Sequence, residues 1–193
     1  TWGIIILGDA GVNFWLSKRD KVLKYRICHK YPNLQFYLLR GNHDERPQNL
    51  PTIHLTYDKN IQGVCYYEAD YLNIYYLMDG QTYTFGDYTA LCLGGAYSVD
   101  KYWRLELQSM GSYAGWFPDE QLSKEEMQEI TDQVKGKSFD FIFSHTCPLS
   151  FQPIYLFSPY IDQSTVDNSM ETWLEELKDQ VQWKSWCFGH YHE

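Results

Sequence analysis

The sequence predicts an α/β fold, and three observations carry that prediction. Apolar runs at 4–7, 34–39, 139–143 and 186–188 have the continuity of buried strands. Segments with helical spacing of apolar residues lie between them. Between residues 64 and 93 the pattern changes to short runs broken by Asp-Gly and Gly-Asp pairs, as in antiparallel hairpins. A chain of 193 residues is long enough for one real core, and 1–193 is read as a single domain.

The run at 4–7 reads as a central parallel strand with Asp9 at its end. A helix at about 16–30 follows, with Leu16, Leu23 and Ile27 on one face and charges opposite; Pro32 ends it. The strand at 34–39 completes a βαβ unit, and 47–51 is a loop. Short strands are expected at 64–68, 73–78, 81–85 and 88–93. Gly86-Asp87 is a two-residue turn with Gly first, a type II′ signal, and Asp79-Gly80 reads as another hairpin turn. Segment 97–117 is too aromatic for a free loop and too irregular for core sheet. Ser123-Lys124-Glu125-Glu126 is a capping box, flanked by Leu122 and Met127 at the staple positions. Met127, Ile130 and Val134 form that helix's buried stripe, its charges a solvated face, and Gly136 its end. Connection 146–169 starts at His145 and is placed to wall a site. The last helix opens at 168–171 and turns Trp173, Leu174, Leu177 and Val181 inward.

Chemistry collects where the strands stop. Gly8-Asp9, Gly41-Asn42-His43-Asp44, Ser144-His145 and Gly189-His190-Tyr191-His192 each follow an apolar run. The chain has six His, and His43, His145, His190 and His192 are four of them; a solvated surface would scatter them. Carboxyl ends of strands in an open α/β sheet line one crevice, where ligands bind. Polar turns with local hydrogen bonds would explain any one stretch, but the coincidence of four points to a metal site. Oxygen and imidazole ligands without thiolates suit Mn, Fe or Zn.

In order and kind, these motifs resemble the calcineurin-like metallophosphoesterase superfamily, in its bacterial and phage-type members. The resemblance implies a two-sheet α/β/β/α sandwich, with mixed sheets flanked by helices and the antiparallel hairpins in the second sheet. It implies two divalent ions, Mn favoured over Fe or Zn. Asp9 would bridge them, Asn42, His145 and His190 would complete the second site, and His192 would serve the first. His43 would be the non-ligand histidine that assists the leaving oxygen, oriented by Asp44. The implied reaction is hydrolysis of a phosphomonoester or phosphodiester by a metal-activated hydroxide. One motif departs: no Asp-x-His occurs in these residues, so the first site is incomplete as written. Both ends read as cut, and the motif is expected upstream. The alternative is a non-catalytic metal-binding or scaffold member of the same fold. Segment 97–117 resembles a cap of some members; Arg104 and Lys101 are its cations and the candidate phosphate contacts, a salt bridge being the competing role for Arg104. Asn13 is read as a turn or cap residue.

Composition sets the partners. A net charge of −9 disfavours nucleic acid and leaves a small phosphoester as the substrate class. The aromatics are read as core and sheet packing rather than base-stacking platforms. Five Cys without a C-x-x-C predict reduced, buried thiols and a cytoplasmic protein. No membrane span is visible, and no oligomeric contact is read from the sequence.

Overall fold

Strand pairing divides the chain into two mixed sheets. The structure is a computed structural model that describes residues 2–113 and 115–192. Thr1 and Glu193, on which the expectation of cut ends rests, and position 114 of the 97–117 segment lie outside those residues. The first sheet contains β1 (Trp2–Leu7), β2 (Leu34–Leu39), β3 (Ile53–Asp58), β4 (Gly63–Glu68) and β5 (Ile74–Tyr76), in the order β1-β2-β5-β4-β3. The second contains β6 (Thr82–Phe85), β7 (Tyr88–Leu93), β8 (Ser138–Ser144) and β9 (Gln182–Phe188), in chain order. The helices are α1 (Lys18–Lys30), α2 (Lys101–Ser109), α3 (Lys124–Val134) and α4 (Ser169–Lys178).

Alternation along the strands builds three cores. In β2, Phe36 and Leu38 face α1 with Val12, Leu23 and Ile27. Tyr37 and Leu39 face the other way and meet Tyr83 and Cys92 of the second sheet. Leu91 and Leu93 of β7, with Ile142 of β8, point outward against Met127, Ile130 and Val134 of α3 and Leu174 and Leu177 of α4. The result is the expected α/β/β/α sandwich. The capping box of α3 forms as read, with Ser123 and Glu126 exchanging backbone and side-chain hydrogen bonds.

Several expectations need correction. β1 is an edge strand whose one neighbour among the described residues is β2, so Ile4 is 41% exposed. The antiparallel strands do not form the second sheet together. β3, β4 and β5 extend the first sheet and β6–β7 begin the second, so Asp79-Gly80 is a crossing between sheets rather than a hairpin. β3 was not expected; its burial lacks a clean alternation and Leu55 and Tyr57 are exposed. The Gly86-Asp87 hairpin forms, with Phe85 opposite Tyr88 and Gly86 at φ 65°.

Helix α1 begins after an Ser17 cap, and Leu16 is half exposed. Its buried residues are charged: Asp20 caps the Trp15 N–H, and Lys24 reaches into the protein. The Lys24 ammonium donates to Glu68 Oε1 at 2.6 Å and to Asn13 Oδ1 at 3.0 Å. Tyr76 and Thr52 hydroxyls supply the remaining donors to Glu68. Asn13 is thus a buried partner of Lys24, more than a turn residue. Likewise Glu126 of α3 leaves the solvated face to pair with Arg46 at 2.6 Å.

Breaking a buried pair leaves an uncompensated charge, at a cost of about 3–5 kcal/mol. Lys24→Met should therefore lower stability by that order in denaturant titration, and Lys24→Met/Glu68→Gln should recover part of the loss. Burial pushes the Glu68 carboxyl up, but Lys24, Thr52 and Tyr76 together hold it below the usual glutamate range. Its contribution is present above that ordinary range and fades as pH falls through the lowered value. A loss under 1 kcal/mol for Lys24→Met would show the pair to be energetically idle.

Candidate metal centre

Strand register delivers the site. Leu7 pairs with Leu39, and Leu93, Ser144 and Phe188 are in register across the second sheet. The next residues therefore leave both sheets at one end. Gly95 N–H to Arg40 O at 2.9 Å joins the two ends, and His145 N–H to Leu93 O and Gly189 N–H to His145 O, both at 3.0 Å, continue the pairing within the second sheet.

Asp9, His145 and His190 each offer a ligand atom within 4.8 Å of the others. His145 is 1% exposed and its Nδ1 lies 2.6 Å from Leu7 O. A carbonyl only accepts, so Nδ1 carries the proton. Its Nε2 then faces Asn42 Oδ1 at 2.9 Å and Asp9 Oδ2 at 3.5 Å. The Asn42 oxygen is identified by its other end, since Nδ2 donates to Ser98 Oγ at 2.8 Å. With a neutral imidazole, three acceptors converge without a hydrogen between them. The arrangement needs positive charge at that point, as a proton on Nε2 or as a cation. The donor set is imidazole and oxygen, which fits a divalent metal ion.

Electrostatics keep the ligand atoms available. Burial pushes the Asp9 carboxyl up, but the His145 hydrogen bond and charge, with the His43 N–H, outweigh it and hold Asp9 at about 2. Burial, then the His145 charge, pushes His190 down to about 3, leaving it a neutral imidazole. Backbone strain also concentrates here. Asp9, His190 and His192 sit at φ 54°, 65° and 61°, where side chains other than glycine are uncommon and cost about 1–3 kcal/mol each.

The glycines of the motifs are spacers. A Cβ on Gly8 would lie 2.1 Å from His145 Nδ1, and Gly8 itself is at φ 97°. A Cβ on Gly41 would lie 2.0 Å from Asp9 Oδ1 and 2.4 Å from Asp9 N.

The remaining expected residues separate. His43 borders the centre: its N–H donates to Asp9 Oδ1 at 2.9 Å, and its Nε2 lies 3.2 Å from Asn42 Nδ2 and 3.4 Å from Arg104 Nη2. Its Nδ1 is buried without a hydrogen-bond partner, and burial, with the Arg104 charge, pushes the imidazole down. Asp44 does not orient His43. Its Oδ2 accepts from Asp9 N–H at 2.8 Å and Gly41 N–H at 2.9 Å, because the turn folds the carboxylate back under the two loops. There burial and the nearby Asp9 charge push it up to about 6. His192 is exposed at the rim, outside the three-residue cluster.

Arg104 reaches the site and also pairs with Asp100 at 2.8 Å. Lys101 does not; its ammonium sits over the Trp116 and Tyr97 rings at 4.9 and 5.6 Å. Segment 97–117 contains helix α2, and Tyr97, Ser98, Val99 and Arg104 line a cavity of about 520 Å³ that opens on Asp9, Asn42, His43 and His190. Connection 146–169 forms the facing wall, with Leu156, Phe157, Ile161 and Val166. Sequence reasoning missed Ser98, Glu120 and Glu171, which are buried polar residues near the centre. Each meets its partner only through the tertiary fold, so no local motif flags them.

A family model of calcineurin-like phosphoesterases matches residues 3–193. The chain belongs to the calcineurin-like phosphoesterase family. No curated protein and no solved structure matches it. Members of this family typically bind divalent metals, and among the described residues Asp9, His145 and His190 form a cluster that could hold one. No helix among the described residues is long and apolar enough to cross a membrane.

Gly41→Ala should displace Asp9 and cost about 1–3 kcal/mol, as overpacked sites do. Thermal unfolding measures the cost, and an unchanged midpoint would mean that the Gly41–Asp9 contact is loose.

Proposed function

We propose that the protein hydrolyses a small phosphomonoester or phosphodiester with divalent metal ions bound at this centre. The observation that carries the reading is the convergence of Asp9, Asn42, His145 and His190 acceptors at one end of a cavity that also holds His43 and Arg104. A divalent ion bound there supplies a Lewis acid and a water made acidic near neutral pH. Asp9, Asn42, His145 and His190 would hold it, and His192 at the rim would serve a second ion; Mn, Fe and Zn all suit these donors, with Mn favoured.

The protein's own groups do the rest. Arg104 turns its guanidinium toward His43, where a planar fork can bind phosphate oxygens. Burial disfavours the charged form of His43 and the Asp9 charge opposes that; in its protonated form the imidazole can give a proton to the leaving oxygen. Two walls around about 520 Å³ suit a small ester better than a polymer, in keeping with a charge of −9. Segment 97–117 acts in this reading as a cap on a single domain. Five free cysteines, three of them buried, support a cytoplasmic location.

His145→Ala should lose most of the metal seen by elemental analysis. His43→Ala should keep the metal and lose about 10²–10⁴-fold in turnover of an aryl phosphomonoester or diester assayed with Mn. The loss should be greater for poor leaving groups. Unchanged metal content in His145→Ala would remove the reading. Tight metal binding with no hydrolysis of either ester would favour a binding or scaffold role.

A further inference from the structure

Asn42 presents two chemically opposite ends of nearly the same shape. Its Oδ1 can face a cation and its Nδ2 cannot. The fold must therefore select the rotamer, and a chain of buried contacts does so. Ser98 brackets the Glu120 carboxylate with both its donors: the N–H reaches Oε1 at 3.1 Å and the hydroxyl reaches Oε2 at 2.6 Å. A hydroxyl has one hydrogen, so Ser98 Oγ has only lone pairs left for Asn42, and it meets Nδ2 at 2.8 Å. Oδ1 is thereby turned to His145.

We propose that Glu120 is a positioning residue that fixes, through Ser98, which end of the Asn42 amide faces the metal centre. The inference rests on the metal reading above. Glu120, Ser98 and Asn42 are 3%, 1% and 2% exposed, so water does not compete for these bonds. Glu120 is itself anchored: Arg40 donates to its carbonyl at 2.7 Å and also binds Asp79. Arg46 holds the carbonyls on either side, Asp119 at 3.0 Å and Gln121 at 2.8 Å. His43 Nε2, 3.2 Å from Nδ2, favours the same orientation from the other side. A carboxylate held this firmly, with each oxygen accepting from Ser98 and with Trp116 and the Lys101 charge beside it, acts on Asn42 by the direction of the hydrogen bonds.

Reversing that direction tests the assignment. In Glu120→Gln the amide can donate to Ser98 Oγ, which frees the hydroxyl hydrogen for Asn42 Oδ1 and lets Nδ2 swing toward the metal. Mn(II) affinity by calorimetry should fall about 10–100-fold, as when a group behind a metal ligand is removed. Ser98→Ala should give a similar loss if Glu120→Gln folds poorly. The same change in an Asn42→Asp background should cost little or nothing, because a carboxylate has no wrong end. A merely structural Glu120 would cost the same in both backgrounds, and that result overturns the proposal, as does unaltered affinity in Glu120→Gln. If the parent protein binds no Mn(II), the metal reading fails separately. The relay is then judged on the Asn42 side-chain N–H signals of the metal-free protein. Exchange should be at least about tenfold faster in Glu120→Gln than in the parent; equal exchange overturns the relay.

Discussion

The imidazole of His145 is the contact on which the rest depends. It leaves the second sheet at the end of β8 and bonds the last carbonyl of β1 in the first sheet. That one bond sets the ring's tautomer and ties the strand ends of the two layers together. Gly8 has no side chain because the ring fills the space beside it. Asp9 and Asn42 follow from the same placement, since both turn an oxygen toward the ring's remaining nitrogen. The sandwich supplies the geometry, and the like-signed ends of Asp9, Asn42, His145 and His190 supply the demand for a cation.

This demand is met against a cost. Three candidate ligands or neighbours hold left-handed backbone, and Asp44 is buried beside Asp9 with one oxygen unpartnered. Local strain and buried like charges persist only where the surroundings impose them. Here Asp9 and Asp44 are held by the Asp9 and Gly41 N–H bonds to Asp44 and the His43 N–H bond to Asp9, and the turn before His190 by the Gly189 N–H bond to His145 O.

Much of this was legible in the sequence, for a physical reason. Strand ends, glycine spacers and capping boxes are local features, so the strand-end positions of Asp9, Asn42, His145 and His190 and the start of α3 could be placed from neighbours alone, whereas the ligand roles came from the resemblance of the motif order to a family. Pairing is not local. Nothing near Asp79-Gly80 tells that the chain changes sheets there, and the unbroken run of β1 resembles a central strand although it lies at an edge. Lys24 reads as a solvated charge because its partner Glu68 is 44 residues away. Asp44, adjacent to His43, invited a role beside it, yet the backbone amides of Asp9 and Gly41 compete for the same carboxylate and win. Glu120 gave no signal, since its meaning lies in Ser98 and Asn42.

The central claim is that Asp9, Asn42, His145 and His190 enclose a cation. Diffraction from crystals grown with Mn(II), collected at a wavelength where manganese scatters anomalously, tests it most directly. The expected result is an anomalous peak bounded by Asp9, Asn42 Oδ1, His145 Nε2 and His190, with His145 Nδ1 still bonded to Leu7 O. Crystals that take up manganese only elsewhere, with His145 Nε2 still 2.9 Å from Asn42 Oδ1, would contradict it.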